Sequence, residues 1–135
     1  MSDNLSGLHS VDTNAASALE IVDCKKHLRK SFVFAVSSYF AYHVSRTRTR
    51  NQRTGGYLQD HWKRMCAALD KSSVRLLYEA RVKEQYTFLN ESIVAHEFDE
   101  MWQLLDEHGH NCMKRLIFVE VARLVYVKRK CDCAT

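Results

Sequence analysis

Residues Glu107–Lys130 read EHGHNCMKRLIFVEVARLVYVKRK. A polar turn with one glycine opens directly into a dense apolar run. Gly109 suits a left-handed C-cap that ends one helix, and Asn111 suits the N-cap of the next. The helix that follows, roughly Cys112 to Lys130, is apolar nearly all round. A helix without a polar face belongs in the middle of a fold. The expected architecture is therefore all-α, with this last helix at the centre and amphipathic helices wrapped around it.

The remainder of the chain agrees with that class. It has 135 residues, 46% of them hydrophobic, no proline and a formal charge of +4. That length suits one domain and that apolar content suits a packed core. No run alternates at the period-two spacing of a strand. The longest apolar stretch, Leu116 to Val127, covers 12 residues and contains Glu120 and Arg123. A membrane helix needs about 20 apolar residues, so no transmembrane anchor is expected. The five cysteines fall at irregular spacing behind a polar N-terminus, a pattern of reduced thiols rather than a disulfide framework.

Along the chain, residues 1–14 read as a loose N-terminus. A single domain is expected over 15–130, followed by a C-terminal tail at 131–135. Thr13 or Asn14 can cap a first helix from Ala15 to Val44, either continuous or broken near Ser31. RTRTRNQRTGG (46–56) reads as a basic linker, with four arginines and the paired Gly55 and Gly56. Tyr57 to about Lys83 reads as one helix. Asn90 or Ser92 can start another, in which Ile93, Val94, Phe98, Met101, Leu104 and Leu105 recur at three- and four-residue steps.

Candidate chemistry is sparse. His108, His110 and Cys112 resemble metal ligands, as do Cys131 and Cys133. If Met113 to Lys130 is helical, however, its 18 residues separate the two groups by about 27 Å, against metal–ligand bonds of about 2.0–2.3 Å. One zinc cannot reach both groups within a single chain, though two chains could share one, and no cofactor is expected. The catalytic signatures G-x-S-x-G, P-loop and H-E-x-x-H are missing from the sequence. Glu120 and Arg123, three apart, suit a buried ion pair rather than a catalytic acid. The chain does not read as an enzyme.

The turn and helix of Glu107–Lys130 resemble the BH1 region of the Bcl-2 family. There a glycine stands two positions before the Asn of Asn-Trp-Gly-Arg, and an acidic residue follows within an apolar helix. Gly109, Asn111-Cys112-Met113-Lys114 and Glu120 stand at those positions. Upstream, MCAALD resembles the family's BH3 segment, with Met65 as its large apolar residue and Asp70 as its acid. Asp70 and Asn111 lie 41 positions apart, an interval that cellular members share, and Arg75, Phe98, Leu105 and Gly109 fall on like residues within it. VSSYFAYHV resembles the family's first helix. The resemblance covers roughly Phe32 to Val127. Leu69 stands where BH3 has a small residue, Cys112 replaces the tryptophan, Met113 a glycine and Lys114 an arginine. Lysine keeps the charge and loses the planar fork.

The resemblance implies a Bcl-2-like helical bundle, truncated at Thr135 before the BH2 region. It also implies an apoptosis inhibitor that receives the BH3 helix of pro-apoptotic BH3-only proteins, Bim-like ones among them, in a hydrophobic groove. The implied lining is Arg75, Leu76, Met101, Leu104, Leu105, Leu116, Ile117 and Val121. Asn111 would cap the helix, Met113 would narrow the groove and Lys114 would meet the ligand's aspartate. In build the chain resembles compact viral members, which implies a protein in the host cytoplasm or peripheral at mitochondria. The cover missing after Thr135 leaves apolar surface for a homodimer. Two other readings stand beside this one: a pro-apoptotic member of the same family, and a basic helical protein binding nucleic acid through Arg46–Arg53.

Overall fold

The structure is a computed structural model. It describes the backbone of residues 11–47, 53–86, 89–108 and 112–134, and the side chains of 23–47, 53–86, 89–105 and 113–127. The described residues form five helices and no strand: α1 (Val11–Thr47), α2 (Thr54–Ala67), α3 (Lys71–Gln85), α4 (Glu91–His108) and α5 (Cys112–Ala134).

α1 runs without a break through Ser31. From Leu28 to Val44 its buried side chains wrap most of its circumference: Leu28, Phe32, Val33, Val36, Phe40 and Val44 are joined there by Ser31, Ala35, Ser37 and Ala41. Small residues let neighbouring helices approach closely, and all four other helices pack on α1. Two aromatic seams hold them. Phe32 meets Tyr78 of α3 and Phe98 of α4 with ring centres 6.5 and 5.6 Å apart. Two turns further on, Phe40 meets Trp62 of α2 at 5.6 Å, and Trp62 meets Phe118 of α5 at 5.5 Å. Edge-on and tilted ring pairs of this kind add about 0.5–1.5 kcal/mol each beyond the area they bury.

The helix at the centre is therefore α1, whereas apolar density alone assigned that place to the final helix. α5 buries one stripe, Met113, Ile117, Val121 and Val125, at four-residue steps. Its opposite face leaves Leu116, Val119, Tyr126 and Val127 exposed. The Glu120–Arg123 pair forms as the spacing suggests, with Arg123 Nη2 donating to Glu120 Oε2 at 2.6 Å and Nε to Oε1 at 3.1 Å. It is not deeply buried: the arginine is mostly in solvent.

Two further boundaries differ from the sequence reading. The segment 57–83 is not one helix. α2 ends at Ala67, and Asp70 takes an extended conformation (φ −89°, ψ 108°) as the N-cap of α3. Ser73 Oγ donates to Asp70 Oδ2 at 2.5 Å, and this local bond favours a helix start over a helix interior. The proposed linker is also shorter than 46–56. α1 continues through Arg46 and Thr47, while Gly55 and Gly56 lie in the first turn of α2. Thr47 Oγ1 lies 2.6 Å from the Tyr57 hydroxyl and ties the two helices across the connection. At the start of α4, Asn90 Oδ1 accepts from the Ser92 backbone N–H at 2.7 Å, so Asn90 is the cap. Helix also extends past both expected limits of the domain, 15 and 130.

Candidate helix-binding surface

The residues singled out for a BH3 groove separate by burial. Met101, Leu105, Met113, Ile117 and Val121 belong to the core, where a docked helix cannot touch them unless the bundle parts. Leu76, Leu104 and Leu116 are exposed, at 69%, 44% and 47%. Arg75 and Lys114 are half-buried. Asn111 lies outside the described residues.

Contacts sort these candidates into two groups. On α3 and α4, Arg75 lies over the Phe98 ring at 5.7 Å and its Nε donates to Glu79 at 3.3 Å. Lys71 lies over Trp102 at 5.8 Å and pairs with Asp99 at 3.7 Å. The second group joins α2 to α5. Lys114 Nζ lies 5.3 Å from the Trp62 ring centre and 5.7 Å from that of Phe118. Ring faces attract a cation by about 0.5–1 kcal/mol at an exposed site. No carboxylate among the described residues forms an ion pair with Lys114.

The BH3-like residues are divided by the helix break. Met65 is buried on α2, Leu69 sits half-buried in the connection and Asp70 caps α3. As folded, this segment does not offer Met65 and Asp70 on one face of one helix.

Other polar groups are structural. Tyr78 is buried and its hydroxyl donates to the Val94 carbonyl at 2.8 Å. Burial, then the nearby Glu97 carboxylate, pushes its pKa well above the usual tyrosine range. Burial and Glu97 also push the Cys24 thiol up. Glu97 is itself buried, with Lys25 Nζ 3.7 Å from Oε2. His96, Glu97 and Glu100 bring one ligand atom each to within 4.8 Å of one another. His96 Nε2 and Glu100 Oε1 already pair at 3.0 Å on an exposed face, so this is adequately read as a surface ion pair beside a buried acid. Helix α5 runs unbroken between the two His/Cys groups considered for zinc, whose side chains lie outside the described residues. No helix among the described residues is long and apolar enough to cross a membrane.

No family model, curated protein or solved structure matches the chain. Its functional reading therefore rests on its own residues. Those the sequence reading missed are Trp62 and Phe118, which seat Lys114, and Val119 and Tyr126 on the outer face of α5. Pattern alone offered no signal for either pair, because aromatic and β-branched residues within an apolar helix read as core.

Proposed function

We propose that the chain is an apoptosis inhibitor of the Bcl-2 type. It takes the amphipathic BH3 helix of a pro-apoptotic BH3-only protein and acts as a viral mimic of the cellular inhibitors. The observation that carries this reading is Lys114. Its ammonium is seated on two aromatic rings beside the exposed Leu116 and has no carboxylate partner among the described residues. A ligand aspartate supplies that partner, and the ligand's apolar anchors at helical spacing meet exposed leucines. The packing of α2, which carries Met65, against α5 also supports the reading.

Four of the implied lining residues, Met101, Leu105, Ile117 and Val121, are core residues in this chain, as is Met113. Deep anchors therefore require the helices to part, and the apparent affinity is lowered by the fraction of molecules in that open state. Titration calorimetry against a panel of BH3 peptides, Bim-type included, tests the proposal. Submicromolar binding of one or a few peptides, weakened by about tenfold or more in Lys114→Glu, is the expected result. A folded protein that binds no peptide in the panel would overturn it.

A further inference from the structure

The outer face of α5 carries apolar side chains beyond the Leu116 assigned to the proposed BH3 surface. Leu116, Val119, Tyr126 and Val127 are exposed along it, Val119 by 66% and Tyr126 by 64%. At 100° per residue Leu116, Glu120, Arg123 and Val127 share an arc of about 60° beside the Met113–Val125 stripe that packs into the bundle, and Val119 and Tyr126 flank that arc on the side away from the bundle. Leu116 to Val127 spans about 16 Å of helix. Apolar residues thus occupy both ends of the stripe, and one acid and one base occupy its middle.

Leu116, Glu120, Arg123 and Val127 follow one another at steps of four, three and four residues, a symmetric spacing. Reversing the helix about a point between Glu120 and Arg123 exchanges the acid with the base and Leu116 with Val127. We propose that this face is a homodimer interface, in which α5 of one protomer crosses α5 of its partner antiparallel about a two-fold axis. Each copy then lays its Glu120 against the other's Arg123, and each Leu116 against the other's Val127. A parallel pairing in register sets Glu120 against Glu120 and Arg123 against Arg123, which like-charge repulsion disfavours. The two-fold makes the surface self-complementary, as a closed dimer requires.

In each monomer the Arg123 guanidinium is already bidentate on Glu120. Hydrogen bonding to Glu120, then its charge, holds Arg123 charged. Each carboxylate keeps lone pairs for a second guanidinium, so the dimer forms an alternating square of four charges. A single helix crossing buries less than a standard interface, so the association is weak and depends on concentration. Leu116 belongs to this face and to the proposed BH3 surface, so dimer and ligand compete there.

Sedimentation velocity under reducing conditions, from about 1 to about 300 µM, reads the association directly. Wild-type protein is expected to pass from monomer to dimer within that range. Val127→Glu replaces an exposed side chain, so the fold is kept while the dissociation constant rises by about tenfold or more. Glu120→Arg and Arg123→Glu, each alone, are expected to be monomeric. Mixed in equal amounts they associate as a heterodimer, one bearing only base and the other only acid at the two positions. An intrahelical role for the pair does not produce that rescue. Wild type that stays monomeric throughout would overturn the proposal and leave the face open to a helix from another chain. So would association untouched by Val127→Glu, or singles that fail to associate when mixed.

Discussion

Trp62 on α2 and Phe118 on α5 lie 5.5 Å apart with their ring planes inclined at 49°. Trp62 also stands edge-on to Phe40 of α1. One buried indole thus joins three helices. Trp62→Ala is expected to cost about 3–5 kcal/mol in denaturant unfolding. Phe118→Ala, at a half-buried position, should cost clearly less. A Trp62→Ala protein within about 0.5 kcal/mol of wild type would mean that the α1–α2–α5 junction does not form as described.

The second seam makes a contrasting pair of predictions. Phe32 is fully buried between Tyr78 and Phe98, so Phe32→Ala should also lose about 3–5 kcal/mol. Leu76→Ala, at a side chain 69% exposed, should fall within about 0.5 kcal/mol of wild type. The proposed function expects the reverse order in BH3 binding. Parallel unfolding and calorimetry on Leu76→Ala therefore separate a surface anchor from a structural residue.

Tyr78 provides a pH prediction. Its folded pKa lies above its unfolded value because burial, then Glu97, disfavours the phenolate. The folded state therefore holds the proton more tightly. The associated stability is fully present below the unfolded pKa of about 10 and is lost as pH rises from there toward the folded value. Tyr78→Phe should lower neutral-pH stability by about 1 kcal/mol through loss of the bond to Val94. It should also flatten the alkaline slope of stability relative to wild type. Equal slopes above pH about 10 in both proteins would refute the assignment.

Cys24 is pushed above the ordinary thiol range by burial, then by Glu97. Its thiolate fraction at neutral pH is correspondingly small, and the thiolate is the reactive form. Alkylation followed by peptide mass spectrometry should find Cys24 slower in the native protein than in the unfolded one. Glu97→Gln removes the second cause and should speed the native reaction. A native Cys24 that reacts as fast as the unfolded chain would contradict the burial described.

Much of the helical pattern was legible from spacing. The stripe of α4 is an example: Val94, Phe98, Met101 and Leu105 are buried as their three- and four-residue steps imply, and Ile93 packs beside them. The break at Asp70 was not legible. Met65, Leu69 and Leu76 continue a helical rhythm straight across it, and the interruption depends on a single aspartate taking an extended backbone with Ser73 on its carboxylate. The candidate surface was legible only in part. Spacing marks Leu104 and Leu105 alike as apolar, while burial exposes the first and hides the second.

By itself the sequence determined the all-helical class, a helix start at Asn90 or Ser92, and the spacing that pairs Glu120 with Arg123. Each of these is a local matter of periodicity, a side chain reaching its own backbone, or two residues within one turn. Only the tertiary structure decided which apolar helix lies at the centre. α1 and α5 are both rich in large apolar residues, and hydrophobicity does not say which neighbour covers which face. α1 took the centre where Ser31, Ala35, Ser37 and Ala41 let four helices close in around it. α5 packs through one stripe and carries its charged pair outward, leaving Val119 and Tyr126 at the surface.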